Sequence, residues 1–470
     1  MLASLSALSV TGRGAARLAA ATAVSALAAT AVVGGAGRAA ADGTAPRQGG
    51  ATATMNGLKT YGAAVIHGAD GDQQLSAGLF EMSVEGGGML QTYCVDVHNP
   101  TQADAKYRET PWRGTSLGVN GDAGRIRWIL QNSYPQVNDL AALADKAGVR
   151  GGLTEQDAAA GTQVAIWRYS DDVDVEAADP QAERLADYLE KNARHQREPE
   201  ASLTLDPPAV SGRPGEPLGP ITVHTNAGSA TVTPPADAAT SGVRIVDKNG
   251  KPVTSAADGD RIYFDVPEDA PAGTAALTVQ ASTSVPVGRA FASESRSQTQ
   301  ILAGSSESTV SATASATWAE EGAIPALSVA KNCAEGGVDI TAVNKGDEPF
   351  TFELMGTEHT IAAGETRTVT VPLQEDRSYD FTIHGPGGFE QRFTGVLDCR
   401  TKGVATAGEA TRTLSEPSPV PQGGAVSDTN LAETGSSGVT PLIGGIALTL
   451  LVLGGVTLLV VRRKNPTPGD

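Results

Sequence analysis

The sequence is poor in aromatic residues, in cysteine and in positive charge. Phe, Trp and Tyr make up 4% of the 470 residues, which argues against one large aromatic core and favours several small β-rich units. Three Cys residues exclude a disulfide-dense scaffold. The formal net charge is −18 and no basic stripe is present, which argues against nucleic-acid binding. At roughly 100 to 200 residues per domain, the length predicts two to four domains.

Both ends of the chain carry patterns typical of export. Two Arg residues precede an uncharged, Ala-rich run at 18–33, and three Ala at 39–41 offer a small-residue cleavage site, so residues 1–41 are predicted to be a secretory signal peptide. Residues 439–461 carry no charge and are long enough to cross a bilayer. The basic residues that follow at 462–464 predict a cytoplasmic tail, with the preceding chain outside the cell.

Just before the apolar segment stands the pentapeptide Leu431-Ala432-Glu433-Thr434-Gly435. Together with the apolar span and the basic tail, it makes residues 431–470 resemble a sortase sorting signal of high-GC, actinobacterial Gram-positive type. The resemblance implies that a sortase cuts between Thr434 and Gly435 and links the protein to peptidoglycan. The alternative is a plain single-pass membrane anchor.

The exported part divides into three predicted domains and a stalk. Residues 52–200 mix strand and helix patterns, so an α+β domain is expected. Residues 201–320 alternate short strands with turn residues, as an immunoglobulin-like sandwich does. Residues 325–400 repeat the strand pattern and predict a small β domain. Residues 401–430, rich in Pro, Ser, Thr and Gly, are predicted to form an extended stalk.

Two local patterns stand out in the first of these domains. Residues 80–84 and 89–97 alternate around a three-glycine turn, which predicts a β-hairpin. Thr154, followed three residues later by Asp157, resembles a capping box and predicts a helix that runs to about Tyr169.

Cys333 and Cys399 lie at the two ends of the third predicted domain. Because the predicted location is extracellular, we expect a disulfide between them. Closing this loop contributes roughly 4 kcal/mol in the chain-entropy account. The alternative is two buried thiols. If the two pair, Cys94 is left as the unpaired thiol.

From the residues alone, Cys94 has three interpretations. It is a structural thiol in a strand, the nucleophile of a secreted Cys hydrolase, or a partner of Gln163. A hydrolase needs a base beside the thiol. His98 is four residues away on the same predicted strand, about 13 Å off if the strand is extended. His67 and His195 have no local signature around them.

Two short motifs surround the candidate pair: Tyr93-Cys94-Val95-Asp96 and Thr162-Gln163-Val164-Ala165. Both resemble the motifs of Cys–Gln thioester-forming surface proteins, the thioester-domain adhesins of Gram-positive bacteria. The resemblance spans residues 52–200 and implies that Cys94 attacks the Gln163 carboxamide, releases ammonia and leaves an internal thioester. Apolar rings at Tyr93 and Trp167 would shield that bond from water.

The patterns and the resemblance together predict a multidomain, mainly β surface protein: an α+β thioester domain, an immunoglobulin-like sandwich and a small disulfide-tied β domain. Its expected function is covalent capture of an amine on a target, either a protein Lys or a small amine. One turnover consumes the bond, so the protein is not expected to be an enzyme, and no cofactor or metal is expected. Before sorting, residues 439–461 would hold it in the membrane. The alternatives are a non-covalent wall-anchored binding protein and a secreted Cys hydrolase.

Overall fold

The described part of the protein is its central region. The computed structural model describes residues 49–400, apart from residues 70, 296, 376, 386 and 387. The predicted signal peptide, stalk and sorting signal, with the apolar segment at 439–461, lie outside the described residues. Within the described residues, no helix is long and apolar enough to cross a membrane.

The first part of the chain mixes strands and helices. Its strands are β1 (Thr52–Gly68), β2 (Gly71–Val84), β3 (Met89–Cys94), β4 (Lys106–Thr110) and β5 (Val175–Ala177). Its helices are α1 (Ala123–Gln131), α2 (Leu140–Ala147), α3 (Glu155–Ser170) and α4 (Pro180–Asn192). Short 3₁₀ turns lie at Trp112–Gly114 and Ser116–Gly118. The hairpin predicted around the glycine turn is present, because β2 and β3 pair from Ser83 and Met89 onward.

The remaining described residues are almost entirely strands. The middle part contains β6 (Leu203–Asp206), β7 (Ala209–Gly212), β8 (Pro217–Thr225), β9 (Ala230–Thr233), α5 (Ala238–Ser241), β10 (Arg244–Val246), β11 (Ser255–Ala256), β12 (Arg261–Asp265), β13 (Gly273–Ser284), β14 (Ala290–Ser293), β15 (Gln300–Ser305) and β16 (Glu307–Trp318). The last part contains β17 (Pro325–Asn332), β18 (Gly337–Asn344), β19 (Phe350–Leu354), β20 (Thr357–Ile361), β21 (Thr366–Pro372), β22 (Arg377–His384) and β23 (Glu390–Leu397).

The sheet of the first domain is completed by strands from far along the chain. Its order is β2-β3-β15-β14-β4-β1-β5, and β1 also pairs with β2, so the strands from β2 to β1 close into a ring. β14 and β15 belong to residues 201–320, which the sequence pattern assigned wholly to the second domain. The structure differs because β3 pairs with β2 along one edge only and needs a partner on the other. β15 supplies it and sets Gln300 opposite Cys94.

Helix α3 is buried along most of its length. The predicted capping box is confirmed: Thr154 Oγ1 accepts from the Asp157 N–H at 3.1 Å, and Asp157 Oδ2 accepts from the Thr154 N–H at 2.9 Å. Residues 158–167 are all buried, as a helix requires when it packs against both a sheet and another helix. Gly161 permits the approach to α4, because a Cβ there would collide with the Ala182 carbonyl oxygen.

The second domain is a sandwich of two sheets, as predicted. The sheets have the strand orders β10-β12-β8-β6 and β11-β9-β13-β16-β7. Their inner faces bury apolar side chains such as Ile221, Phe264 and Val279. The same cluster continues into the first domain through Met82 and Leu90, so the two domains share one hydrophobic core.

The third domain is built from three small sheets, β17-β18-β21, β19-β20 and β22-β23. The predicted disulfide between Cys333 and Cys399 is confirmed. It joins the residues just beyond β17 and β23 and therefore ties the first strand of the domain to the last. The Cys333 N–H donates to the Arg113 carbonyl at 3.0 Å, which docks this end of the domain on the first domain.

A buried ion pair connects the first and second domains. Glu109 is 1% exposed and Arg289 is 4% exposed, and the Arg289 Nε–H donates to Glu109 Oε1 at 2.9 Å. The same carboxylate accepts from the backbone N–H of Ala51 at 3.1 Å and of Ser202 at 3.0 Å. Because Ala51 precedes β1 and Ser202 precedes β6, one carboxylate holds the starts of both domains together.

Replacing Glu109 with Gln should destabilise the protein strongly. The substitution keeps the side-chain shape but leaves the buried Arg289 with only Glu198 as a charged partner. Breaking a buried pair costs about 3 kcal/mol or more, and urea unfolding should show a loss of that order. Glu85→Gln is the control, because its pair with Lys106 is exposed and is worth at most about 1 kcal/mol. Equal losses in the two variants would contradict the role given to Glu109.

Candidate functional site

Cys94 is the last residue of β3, and its side chain is 1% exposed. It is the free cysteine among the described residues. Tyr93 and Val95 on either side are also buried, so both faces of the sheet are covered at this point. The thiol therefore lies inside the first domain.

The structure brings Gln163 to Cys94. Gln163 lies in the middle of α3 and is 0% exposed. The Cys94 backbone N–H donates to Gln163 Oε1 at 3.0 Å, and Gln163 Nε2–H donates to the Cys94 carbonyl at 2.8 Å. Two bonds therefore hold the carboxamide against the residue that carries the thiol. The N–H on Oε1 is placed to stabilise negative charge on that oxygen if the carboxamide carbon is attacked.

Three groups contact the sulfur of Cys94. The Trp167 Nε1–H donates to Sγ at 3.2 Å, and the thiol donates to the Asp96 carbonyl at 3.4 Å. The side-chain amide of Gln298 also contacts Sγ. Trp167 stands four residues after Gln163, one helical turn along the same face, which is why both reach Cys94.

Gln298 is the site residue that the sequence patterns did not reveal. It is 7% exposed. The orientation of its side-chain amide is set by two hydrogen bonds. The nitrogen donates to the Asp96 carbonyl at 2.6 Å, and the oxygen accepts from the Thr101 N–H at 3.1 Å. In this orientation the nitrogen is the atom beside Cys94 Sγ. The one feature of the sequence that could have identified Gln298 is its position just before β15. That position becomes informative only when β15 is known to pair with β3.

The two residues predicted to shield the bond take different positions. Trp167 is buried with its indole nitrogen on the sulfur. Tyr93 is also buried, and its hydroxyl donates to the Tyr134 carbonyl at 2.8 Å. Burial raises the pKa of Tyr93, so the hydroxyl stays neutral. Trp167 therefore contacts the Cys94 sulfur, whereas the hydroxyl of Tyr93 is bonded elsewhere. Shielding itself stays a prediction for both.

Two buried carboxyl groups lie beside the site. Burial raises the pKa of Asp96 to about 8, and the neighbouring Asp398 adds to the shift. Burial raises the pKa of Asp171, at the C-terminal end of α3, to about 6. Burial, with a further contribution from Asp171, also raises the pKa of the Cys94 thiol well above its usual range. At neutral pH the thiol is therefore protonated, as is most of the Asp96 carboxyl.

This environment does not favour a Cys hydrolase. β3 ends at Cys94, so His98 lies beyond the strand on which the sequence placed it, and its N–H donates to Asp96 Oδ1 at 3.1 Å. His67 and His195 lie 2.8 Å and 3.9 Å from carboxylates of other residues. A hydrolytic cysteine needs a lowered thiol pKa, and burial here does the opposite. Among the described residues, no group of three or more His, Cys, Asp or Glu side chains could hold a metal ion.

Comparison with known protein families bears directly on this site. Residues 91–195 match the family model of the thioester domain. This segment is a thioester domain. It includes both Cys94 and Gln163. Four strands of the same sheet, β1, β2, β14 and β15, lie outside the matched segment. Residues 323–396 match the C-terminal domain of bacterial phospholipase C. No curated protein matches the chain.

Three solved structures are similar to the chain that carries this thioester domain. The TIE protein of Bacillus anthracis is 14% identical, with a TM-score of 0.26 over 75% of this chain and 63% of that one. The thioester domain of Enterococcus faecium TIE86 is 16% identical, with a TM-score of 0.27 over 57% of this chain and 97% of that one. The Escherichia coli chaperone DraB is 14% identical, with a TM-score of 0.15 over 42% and 98%. The match thus spans 63% of the length of the B. anthracis protein.

The raised pKa of Asp96 predicts a pH-dependent stability. Its folded pKa of about 8 lies above the ordinary value of 3.8, so between these values the native state binds more protons than the unfolded state. The free energy of unfolding should therefore fall as pH rises, by up to about 1.4 kcal/mol per pH unit. Asp96→Asn should reduce this slope in urea unfolding, and Thr101→Val, an uncharged change in the same loop, should keep it. An unchanged slope in Asp96→Asn would contradict the assignment.

Proposed function

We propose that the protein is a cell-wall surface adhesin whose Cys94–Gln163 thioester captures an amine-bearing target covalently. The observation that carries the proposal is the pair of hydrogen bonds holding the Gln163 carboxamide on Cys94 in a buried site. The thioester-domain match over both residues supports it. The raised pKa of the thiol favours this use of Cys94 over hydrolytic catalysis.

The first step of the mechanism forms the thioester. Cys94 Sγ attacks Gln163 Cδ, and the charge that develops on Oε1 is stabilised by the Cys94 N–H. The C–N bond then breaks, the thiol proton passes to the leaving nitrogen, and ammonia departs. An amide is a poor electrophile in water, so the reaction depends on the proximity that the fold imposes on the two side chains.

The second step transfers the acyl group to the target. The amine attacks Gln163 Cδ, an amide bond forms, the C–S bond breaks, and the proton lost by the amine ends on Cys94. The bond is consumed, so each molecule reacts once and the protein is not an enzyme. Both linked residues are buried, which excludes water and slows hydrolysis before a target arrives.

Attachment to the wall completes the proposed function. The signal peptide would direct export, residues 439–461 would hold the chain in the membrane, and sortase would join Thr434 to peptidoglycan. The disulfide between Cys333 and Cys399 fits an oxidising, extracellular location.

The mass of the native secreted protein tests the thioester. Loss of ammonia should leave it about 17 Da lighter than its sequence, after allowance for the disulfide. Methylamine should remove that deficit, add methylamine to Gln163 and expose one thiol, because the amine replaces sulfur on the acyl carbon. Intact mass spectrometry and thiol labelling measure both changes.

Three variants control this experiment. Cys94→Ala and Gln163→Glu should each abolish the deficit and the covalent capture, while leaving the second and third domains folded. Gln91→Leu, on the same strand, should keep both properties. A wild-type protein of full sequence mass, with Cys94 alkylated at once under native conditions, would overturn the proposed function.

Replacing Thr434 with Ala tests the anchoring. The variant should remain in the membrane and be extracted by detergent, because sortase has no Thr at which to form its acyl intermediate. The wild type should be released only by digestion of the wall. Thr429→Ala, just outside the pentapeptide, should behave as the wild type. A Thr434→Ala variant that stays linked to the wall would show that the sorting assignment is wrong.

A further inference from the structure

We propose that the side-chain amide of Gln298 is a catalytic group, an N–H donor that stabilises the sulfur of Cys94 as it leaves when an amine opens the thioester. The inference rests on the proposed thioester and assigns a role to a residue outside both sequence motifs and outside the segment matched to the family model.

Contacts on both ends of the amide orient its nitrogen toward the sulfur. One N–H of Gln298 donates to the Asp96 carbonyl at 2.6 Å, and the oxygen accepts from the Thr101 N–H at 3.1 Å. An amide nitrogen carries two protons, so the second is available to Cys94 Sγ, which the nitrogen contacts. The indole N–H of Trp167 approaches the same sulfur at 3.2 Å. The sulfur is therefore contacted by two N–H donors.

The backbone of Gln298 is also held in place. Its carbonyl accepts from the Tyr107 hydroxyl at 2.9 Å. The next residue, Thr299, accepts from the Val95 N–H at 3.1 Å, directly beside Cys94. The Val95–Thr299 bond continues the pairing of β15 with β3, and the Tyr107 hydroxyl adds a contact from β4, so the backbone that carries the amide is held by the sheet. A donor fixed in this way needs little reorganisation when charge develops on the sulfur.

The charge on the leaving sulfur is costly at this position. Burial disfavours a thiolate, and the nearby Asp171 carboxylate disfavours it further, so the pKa of Cys94 is raised. Asp96 faces the site from the loop after β3, with Asp398 of the third domain beside it. Hydrogen-bond donors on the sulfur favour the thiolate, and the bond from Trp167 accordingly lowers the pKa of Cys94. Gln298 would add a second donor of the same kind.

The step balances without any further reactant. The amine nitrogen bonds to Gln163 Cδ, the C–S bond breaks, and its electron pair remains on Cys94 Sγ. The N–H groups of Gln298 and Trp167 stabilise that pair until the proton released by the amine reaches the sulfur. Gln298 is unchanged at the end.

The test compares the rates at which methylamine opens the thioester in the full secreted protein. Removing one fixed donor from a developing charge slows a reaction about 100-fold, which we expect for Gln298→Leu. The pKa of the Cys94 thiol in the opened protein should rise as well, measured from the pH dependence of its alkylation. Trp167→Phe keeps an apolar ring but loses the N–H, and it should slow opening similarly. Gln91→Leu is the matched control, because its amide lies beside Gly304 on the same pair of strands.

Each outcome decides the proposal. A Gln298→Leu protein that has the mass deficit, opens at the wild-type rate and keeps the thiol pKa would overturn the role of Gln298 and leave the thioester intact. If Gln298→Leu does not form the thioester, Gln298→Asn is measured instead; its amide is one methylene shorter and stands farther from the sulfur, so a wild-type opening rate there overturns the role. A deficit that survives Gln163→Glu but not Gln298→Leu would identify Gln298 as the acyl donor and contradict both proposals. A wild type without the deficit contradicts the proposed function itself.

Discussion

Two hydrogen bonds join the Gln163 carboxamide to the Cys94 backbone. They form because a polar side chain is buried in the middle of helix α3, where only nearby protein groups can satisfy it. A buried amide without partners would cost several kcal/mol, and Cys94 supplies a donor and an acceptor at once. Helix α3 can present the amide there because residues 158–167 are buried and Gly161 lets α4 approach. The bonds that satisfy the side chain therefore also hold it beside the thiol, as the proposed attack requires.

The site is assembled from three distant parts of the chain. β3 supplies Cys94, α3 supplies Gln163 and Trp167, and the segment before β15 supplies Gln298. The third domain reaches the same place, since the Thr299 hydroxyl donates to Asp398 at 3.4 Å. Because Asp398 precedes Cys399, the disulfide holds this contact near the sulfur. The segment before β15 therefore completes the surroundings of Cys94, and the third domain contacts that segment at Thr299.

Local features could be predicted from the sequence, whereas features formed by distant pairing could not. The capping box at Thr154 depends on residues three positions apart, and the disulfide followed from compartment and cysteine count. β14 and β15 belong to the first sheet because β3 has an edge that needs a partner, and no local pattern in the sequence indicates which strand fills it. Gln298 was missed for the same reason. A single Gln in a polar stretch resembles a surface residue until the strand pairing places it on the sulfur.

A crystal structure of the protein, purified without amines, would reveal whether Cys94 and Gln163 are joined. We expect continuous electron density from Cys94 Sγ to Gln163 Cδ, with the former amide nitrogen absent and the Gln298 nitrogen beside the sulfur. An intact Gln163 carboxamide on the Cys94 backbone with a separate thiol would contradict the thioester, as would density joining Cys94 to Gln298.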